Sequence, residues 1–135
     1  MTEQSSSEVE VEHDDGFNDF IGPLYQTQVS DTEWDFWFTP EQRHLNGGGA
    51  VHGGMLMSFA DHVLGKIVWE AVDQQPCVTM SLNCDFVAGG KVDEKIAGKA
   101  EITRKTRSVI FVKGELTQGG RTVMTASGIW KLVGK

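Results

Sequence analysis

The chain has 135 residues, 39% of them hydrophobic and sixteen of them glycine, which suits one domain with a real core and excludes a fibrous or wholly disordered polypeptide. No run of eighteen apolar residues is present to span a membrane, and the start lacks the basic and apolar regions of a secretory signal. The net charge of −7 belongs to the front of the chain, because from residue 36 onward twelve basic residues face nine acidic ones; that balance suits an anionic ligand but is too weak for nucleic acid.

Residues 1–16 are polar and acidic, no Lys or Arg precedes Arg43, and a disordered tail is expected there, ahead of a domain over 17–135. Phe17, Phe20 and Ile21 sit at helical spacing before a Gly22-Pro23 break. Leu24–Val29 reads as a weak strand. Over Thr32–Phe38, Trp34, Phe36 and Phe38 alternate with Glu33, Asp35 and Trp37, the period of two of a half-buried strand, and Pro40 ends it. A glycine-rich loop follows, and then residues 53–72 read as one helix of about five turns. On it Ser58, His62, Lys66 and Glu70 form a single polar stripe on an otherwise apolar surface, so protein should wrap most of its circumference. Four strand-like runs close the chain: Val78–Ala88, Ile96–Arg104, Val109–Thr117 and Thr122–Val133. The turn at Thr106–Ser108 is short enough to make a hairpin of the middle two. The pattern predicts an α+β domain, a curved, largely antiparallel sheet around one long central helix. Cys77 and Cys84 fall on one strand, about 23 Å apart, so they cannot bridge each other; two free thiols point to a reducing, cytoplasmic setting.

The chemistry concentrates in His44-Leu45-Asn46-Gly47-Gly48-Gly49-Ala50-Val51-His52-Gly53-Gly54 and in Asp61 on the helix that follows. The first N–H groups of a helix have no intrahelical acceptor and sit at its positive end. Glycine there lets a ligand carbonyl approach the backbone, where an oxyanion would be stabilised. Taken alone, Gly53 and Gly54 could equally be a turn that starts a helix. Asp61 weighs against that, because it lies off the polar stripe, beside Met57, Gly65 and Val68, and a carboxylate on an apolar flank is costly unless paired or used. Eight residues of helix separate Gly53 from Asp61 by about 12 Å, so one small carbonyl cannot meet both. A shared site therefore requires two copies of the helix and at least a homodimer. His44, His52 and His62 match no metal-ligand spacing, so no metal is expected; nor is there a G-x-S-x-G element for a serine triad. Arg104, Lys105 and Arg107 form the densest positive cluster, either a solvated turn or a phosphate holder.

The run from His44 and Asn46 through His52-Gly53-Gly54 to Asp61 resembles the signature of hotdog-fold acyl-CoA thioesterases of the PaaI-like, phenylacetate-pathway type. In that family a His-x-Asn precedes His-Gly-Gly, with an Asp nine residues after the second His, and the spacing here matches without a gap. The resemblance covers about residues 20–133. It implies a hotdog fold, an acyl-CoA substrate, no cofactor, and a homodimer or homotetramer. Gly53, with Gly54 beside it, would polarise the thioester carbonyl. The partner subunit's Asp61 would act as general base or nucleophile, and Asn46 would position the thioester or the lytic water. His52 would shape the helix start, Thr79 would set a hydroxyl beside the carboxylate, and Arg104 and Arg107 would lie near the CoA phosphates. Relatives commonly carry a larger, less glycine-rich link than Gly47-Gly48-Gly49.

Two alternatives stand beside this expectation. An acyl-thioester hydratase or dehydratase should show a different His/Asp or His/Glu arrangement, which is absent. A non-catalytic acyl-CoA-binding regulatory domain would have no use for a carboxylate at Asp61. The aromatic residues Trp34, Trp37, Phe38 and Trp69 could line an acyl pocket, although core packing accounts for most of them.

Overall fold

The computed structural model describes residues 8–134. Seven strands form one antiparallel sheet: β1 (Val9–Val11), β2 (Tyr25–Gln28), β3 (Trp34–Phe38), β4 (Cys77–Phe86), β5 (Ile96–Lys105), β6 (Val109–Gln118) and β7 (Arg121–Leu132). A short helix α1 (Phe17–Ile21), a 3-10 turn (Gln42–His44) and the long helix α2 (Gly53–Ala71) complete the chain. The strand order is β1-β2-β3-β5-β6-β7-β4, so β4 crosses over to form the far edge. Among the described residues no helix is long and apolar enough to cross a membrane.

The expected tail needs correction within residues 8–16; residues 1–7 lie outside the described part. Val9–Val11 pairs with β2, Val9 opposite Thr27 and Val11 opposite Tyr25. The physical reason is that the open edge of β2 offers main-chain partners to a Val-Glu-Val-Glu run that alternates with the strand period. The β5–β6 hairpin forms as expected, its turn closed by Thr106, whose N–H donates to the Val109 carbonyl at 2.8 Å.

Helix α2 is buried along Met55, Leu56, Phe59, Ala60, Val63, Leu64, Ile67 and Val68, positions that recur every three to four residues and so share one face. That face packs on inward residues of the sheet, including Phe36, Phe38, Ile96, Ile110, Leu116, Met124 and Trp130. The approach is close: a Cβ at Gly114 would stand 2.9 Å from Leu64 Cδ1 and 2.4 Å from the Lys99 carbonyl oxygen, so glycine is required where helix and sheet meet. The expected alternation of β3 is realised, with Trp34, Phe36 and Phe38 buried. Trp37 faces the other side of the sheet, stacked on Tyr25 at 5.8 Å with Lys95 above it.

Strand β4 carries a bulge. Thr79 pairs with Trp130 and Ser81 with Ile129, which leaves Met80 as the extra residue. Thr79 and Phe86 are seven positions apart, an odd number, and a regular strand would put them on opposite faces. The inserted residue reverses the alternation between them, so both turn toward α2.

Candidate active site

The loop before α2 is held by its own side chains. Leu45 bridges to Val51, the Asn46 N–H donates to the Ala50 carbonyl at 2.7 Å, and the Val51 N–H donates to the Gly90 carbonyl at 3.0 Å. Asn46 Oδ1 accepts from the N–H groups of Gly48 (2.9 Å) and Ala50 (3.1 Å). Two N–H donors on one atom fix it as the oxygen and leave the amide Nδ2 as a donor with no acceptor among the described residues. The run Gly47-Gly48-Gly49 is thus wrapped round Asn46 in an Asx-type turn.

His52 is the N-cap of α2. Its Nδ1 accepts from the Gly54 N–H at 2.8 Å, and its own N–H donates to the His44 carbonyl at 2.8 Å. A ring nitrogen that accepts carries no proton, so the His52 proton is on Nε2, which has no partner among the described residues. The Gly53 N–H likewise meets no acceptor among the described residues. Phe86 lies over this glycine: a Cβ added at Gly53 would stand 3.2 Å from Phe86 Cε1. The helix therefore opens on an unfilled backbone donor between a histidine and an aromatic ring, at the positive end of a nineteen-residue helix.

Two turns along α2, Asp61 Oδ1 accepts from Thr79 Oγ1 at 2.9 Å. No cation pairs with Asp61 among the described residues, and the side chain is half-exposed. Among the described residues, then, it takes no part in a salt bridge, the plainest structural use for a carboxylate there. Cys84 is close by, but burial, with Asp85 and Asp61 adding to it, raises its thiol above the ordinary value, which disfavours the thiolate and hence a cysteine nucleophile.

The remaining residues singled out in the sequence fall elsewhere. His44 is buried with both ring nitrogens engaged: Nδ1 accepts from the Glu41 N–H at 2.9 Å, and Nε2 donates to the Ile21 carbonyl at 2.7 Å. His62 is on the polar stripe, bonded to Gln26 Oε1 at 3.1 Å and edge-on to Phe36. Burial, then the charge of Lys66, lowers its pKa to about 4, so it is neutral in the folded chain. Arg104 and Arg107 are exposed at the β5–β6 end, where Lys105 Nζ donates to the Ala71 carbonyl at 2.8 Å. Ala71 is eighteen residues beyond Gly53, about 27 Å along the helix. Within one subunit the cluster therefore stays apart from the helix start. Trp34 and Trp69 flank Lys66, each ring 4.8 Å from its ammonium. A cavity of about 1010 Å3 beside Trp34, Ile67 and Glu70 also lies away from Gly53 and Asp61. Phe86 and Gln26 had no local signal in the sequence, because the β4 bulge and the β2 register bring them to α2.

The comparisons with known proteins agree with this fold. The profile of the thioesterase superfamily matches residues 48–125, more than half the chain, including the loop end, α2 and the first three long strands. A Pseudomonas aeruginosa protein whose name proposes an esterase is 29% identical over 115 residues, covering 84% of this chain and 86% of its own. Among solved structures, a phenylacetic acid degradation-related protein of Ralstonia eutropha, titled as a candidate thioesterase, superposes with a TM-score of 0.77 at 28% identity, over 85% of this chain and 88% of that one. A hypothetical thioesterase of Streptococcus pneumoniae, solved with coenzyme A, superposes with a TM-score of 0.71 at 22% identity, covering 83% and 90%. With its sheet wrapped on one long helix in the hotdog fold, the chain belongs to the thioesterase superfamily and is a thioester hydrolase.

Proposed function

We propose that the protein is an acyl-CoA thioesterase that works as a homodimer, with sites made of the Gly53 loop of one subunit and the partner subunit's Asp61. One observation carries this reading: α2 holds both an unfilled backbone donor at its start and, two turns on, a carboxylate with a hydroxyl partner but no cation. The two are about 12 Å apart on one helix, whereas antiparallel helices from two copies would bring each donor to the other's carboxylate. The edge at β4 supports such pairing. Its outer side is unpaired over ten residues and bears the exposed Val78, Met80 and Phe86, a surface that an isolated chain would normally protect. The solved relative with coenzyme A supports CoA as the carrier, with Arg104 and Arg107 near its phosphates. Pairing of dimers into a tetramer fits the same reading.

In this mechanism the thioester oxygen accepts from the Gly53 N–H, with Gly54 and the His52 cap fixing the helix start. The free amide of Asn46 orients the thioester or the water. Asp61 takes a proton from water as its oxygen attacks the carbonyl carbon. The oxyanion forms at the helix start, and its collapse expels the CoA sulfur, which leaves protonated, with a carboxylic acid as the second product. Direct attack by Asp61 would instead form a mixed anhydride that water then opens. In either route Thr79 aims the carboxylate. No metal or prosthetic group is required.

The test is thiol release from short, medium, long and aryl acyl-CoAs by the wild type and by Asp61→Asn. A loss of about a hundredfold or more in the variant is the expected result for a proton-transfer group. Equal turnover by both proteins would retain the enzyme and eliminate this mechanism. Tight binding without turnover on any thioester would favour the regulatory reading.

A further inference from the structure

Helix α1 presents its two aromatic rings to open space, with Phe17 60% and Phe20 78% exposed. Large exposed aromatics on a mobile tail would mean little, but α1 is fixed at both ends. At its start the Asp14 carboxylate accepts from the N–H groups of Gly16, Asn18 and Asp19 at 2.9, 3.2 and 3.3 Å. At its end Arg43 donates to the carbonyls of Phe20 and Gly22, and His44 Nε2 donates to that of Ile21. His44 in turn accepts the His52 N–H, so a hydrogen-bonded path ties α1 to the start of α2.

Between them lies an open surface groove of about 470 Å3 with Phe17, Phe20, Ile21, Leu45 and Met55 on its apolar side, within the size range of small-ligand sites. His52 and Gly54, at the start of α2, also line it. Several polar groups around it are engaged: Arg43 donates to three acceptors, His44 has two partners, and Ser58 Oγ donates to the Gly54 carbonyl at 2.8 Å. Arg43, with five N–H groups, keeps further donors, and His52 Nε2 has no partner among the described residues. A ligand there meets aromatic and aliphatic side chains together with Arg43 and the helix start.

We propose that this groove is the acyl-group pocket and that Phe17 and Phe20 set acyl selectivity. The inference rests on the thioesterase reading for the carbonyl at Gly53 and adds the side from which the acyl group leaves it.

The experiment measures kcat/KM on acetyl-, hexanoyl-, decanoyl-, phenylacetyl- and succinyl-CoA for the wild type, Phe17→Ala and Phe20→Ala. Affinity for the matching non-hydrolysable S-alkyl-CoA thioethers and oligomeric state are recorded alongside. Each truncation is expected to cut kcat/KM on the hexanoyl, decanoyl or phenylacetyl substrates by about tenfold or more, mainly through KM, and to leave acetyl-CoA within about threefold. The relative size of the hexanoyl and phenylacetyl effects separates an alkyl from an aryl preference. Because both rings are exposed, folding is expected to survive. An unchanged selectivity profile, an equal loss on acetyl-CoA, or a changed oligomeric state with selectivity retained would overturn the pocket. Absence of turnover on every thioester, with thioether binding that still weakens in the variants, would sink the hydrolase and keep the pocket; equal thioether binding would sink both.

Discussion

Thr79 Oγ1 lies 2.9 Å from Asp61 Oδ1, a bond between strand β4 and helix α2 that exists only because Met80 bulges out of the ladder. The hydroxyl proton is directed at one carboxylate oxygen, which leaves the other for water or substrate. Removing it should release the orientation of Asp61 rather than its charge. Thr79→Val is expected to lower kcat about tenfold to a hundredfold with KM nearly constant, the scale of a hydrogen bond to a charged group. Thr79→Ser should keep most of the activity. Steady-state thiol release on the best substrate measures both variants, and a fully active Thr79→Val would show the bond to be dispensable.

Gly53→Pro deletes the free N–H while keeping a residue favoured at the first helical position. The added ring meets Phe86, which is half out in solvent and can move aside. Turnover is expected to fall about a hundredfold to a thousandfold, as for loss of one oxyanion donor, with the melting temperature little changed. Complementation then tests the division of the site between subunits. In mixed dimers of Gly53→Pro and Asp61→Asn, one of the two sites has both native groups. Co-expression should restore about a quarter of wild-type activity, since half the dimers are mixed and each keeps one site. No recovery from verified mixed dimers would place donor and carboxylate in the same subunit.

Met80→Lys puts a charge on the open edge of β4, a device that natural edge strands use to refuse a partner. Light scattering coupled to size exclusion should show the wild type as a dimer or tetramer and the variant with a smaller mass. Activity should fall with it, because Asp61 and Gly53 cannot meet within one chain. A wild type that runs as a monomer and still turns over substrate would contradict the two-subunit site.

His62 gives a pH dependence of stability with a definite sign. Its folded pKa, about 4, is below the unfolded value of 6.5, because burial and Lys66 both oppose the charged ring. Between those values the unfolded chain binds more protons, so stability is fully present above about pH 6.5 and declines as pH falls toward 4. Gln26 faces the ring as acceptor, while Glu10 and Glu12 bond the far side of that amide at 3.3 and 3.4 Å. The loss should reach about 2 kcal/mol at pH 5 in urea unfolding. His62→Gln, which retains a donor toward Gln26, should flatten the slope between pH 7.5 and 5. An equal slope in the variant would assign the acid sensitivity to other groups.

Much of this protein is written in short-range pattern. The alternation of Trp34, Phe36 and Phe38, the breaker-free run of α2 with its buried stripe, the Thr106 turn, and the spacing from His44 to Asp61 all depend on neighbours within a few residues. Local periodicity alone therefore reports them, and the bare helix start at Gly53 follows from helix geometry. The 12 Å between Gly53 and Asp61, on which the proposed two-subunit site rests, is likewise a property of one helix.

Other relations were decided only when distant segments met. Val9–Val11 is a strand because β2 presents an open edge; its short Val-Glu alternation does not hold a strand without that partner. His44 is spent on Ile21 of α1, 23 residues away, and His62 is bonded to Gln26, 36 residues away, and kept neutral chiefly by burial. The one-residue bulge at Met80 turns both Thr79 and Phe86 toward α2. A strand's side-chain period is two, so one extra residue reverses every later position, and whether that residue is accommodated is settled by the pairing of β4 with β7 rather than by β4 itself.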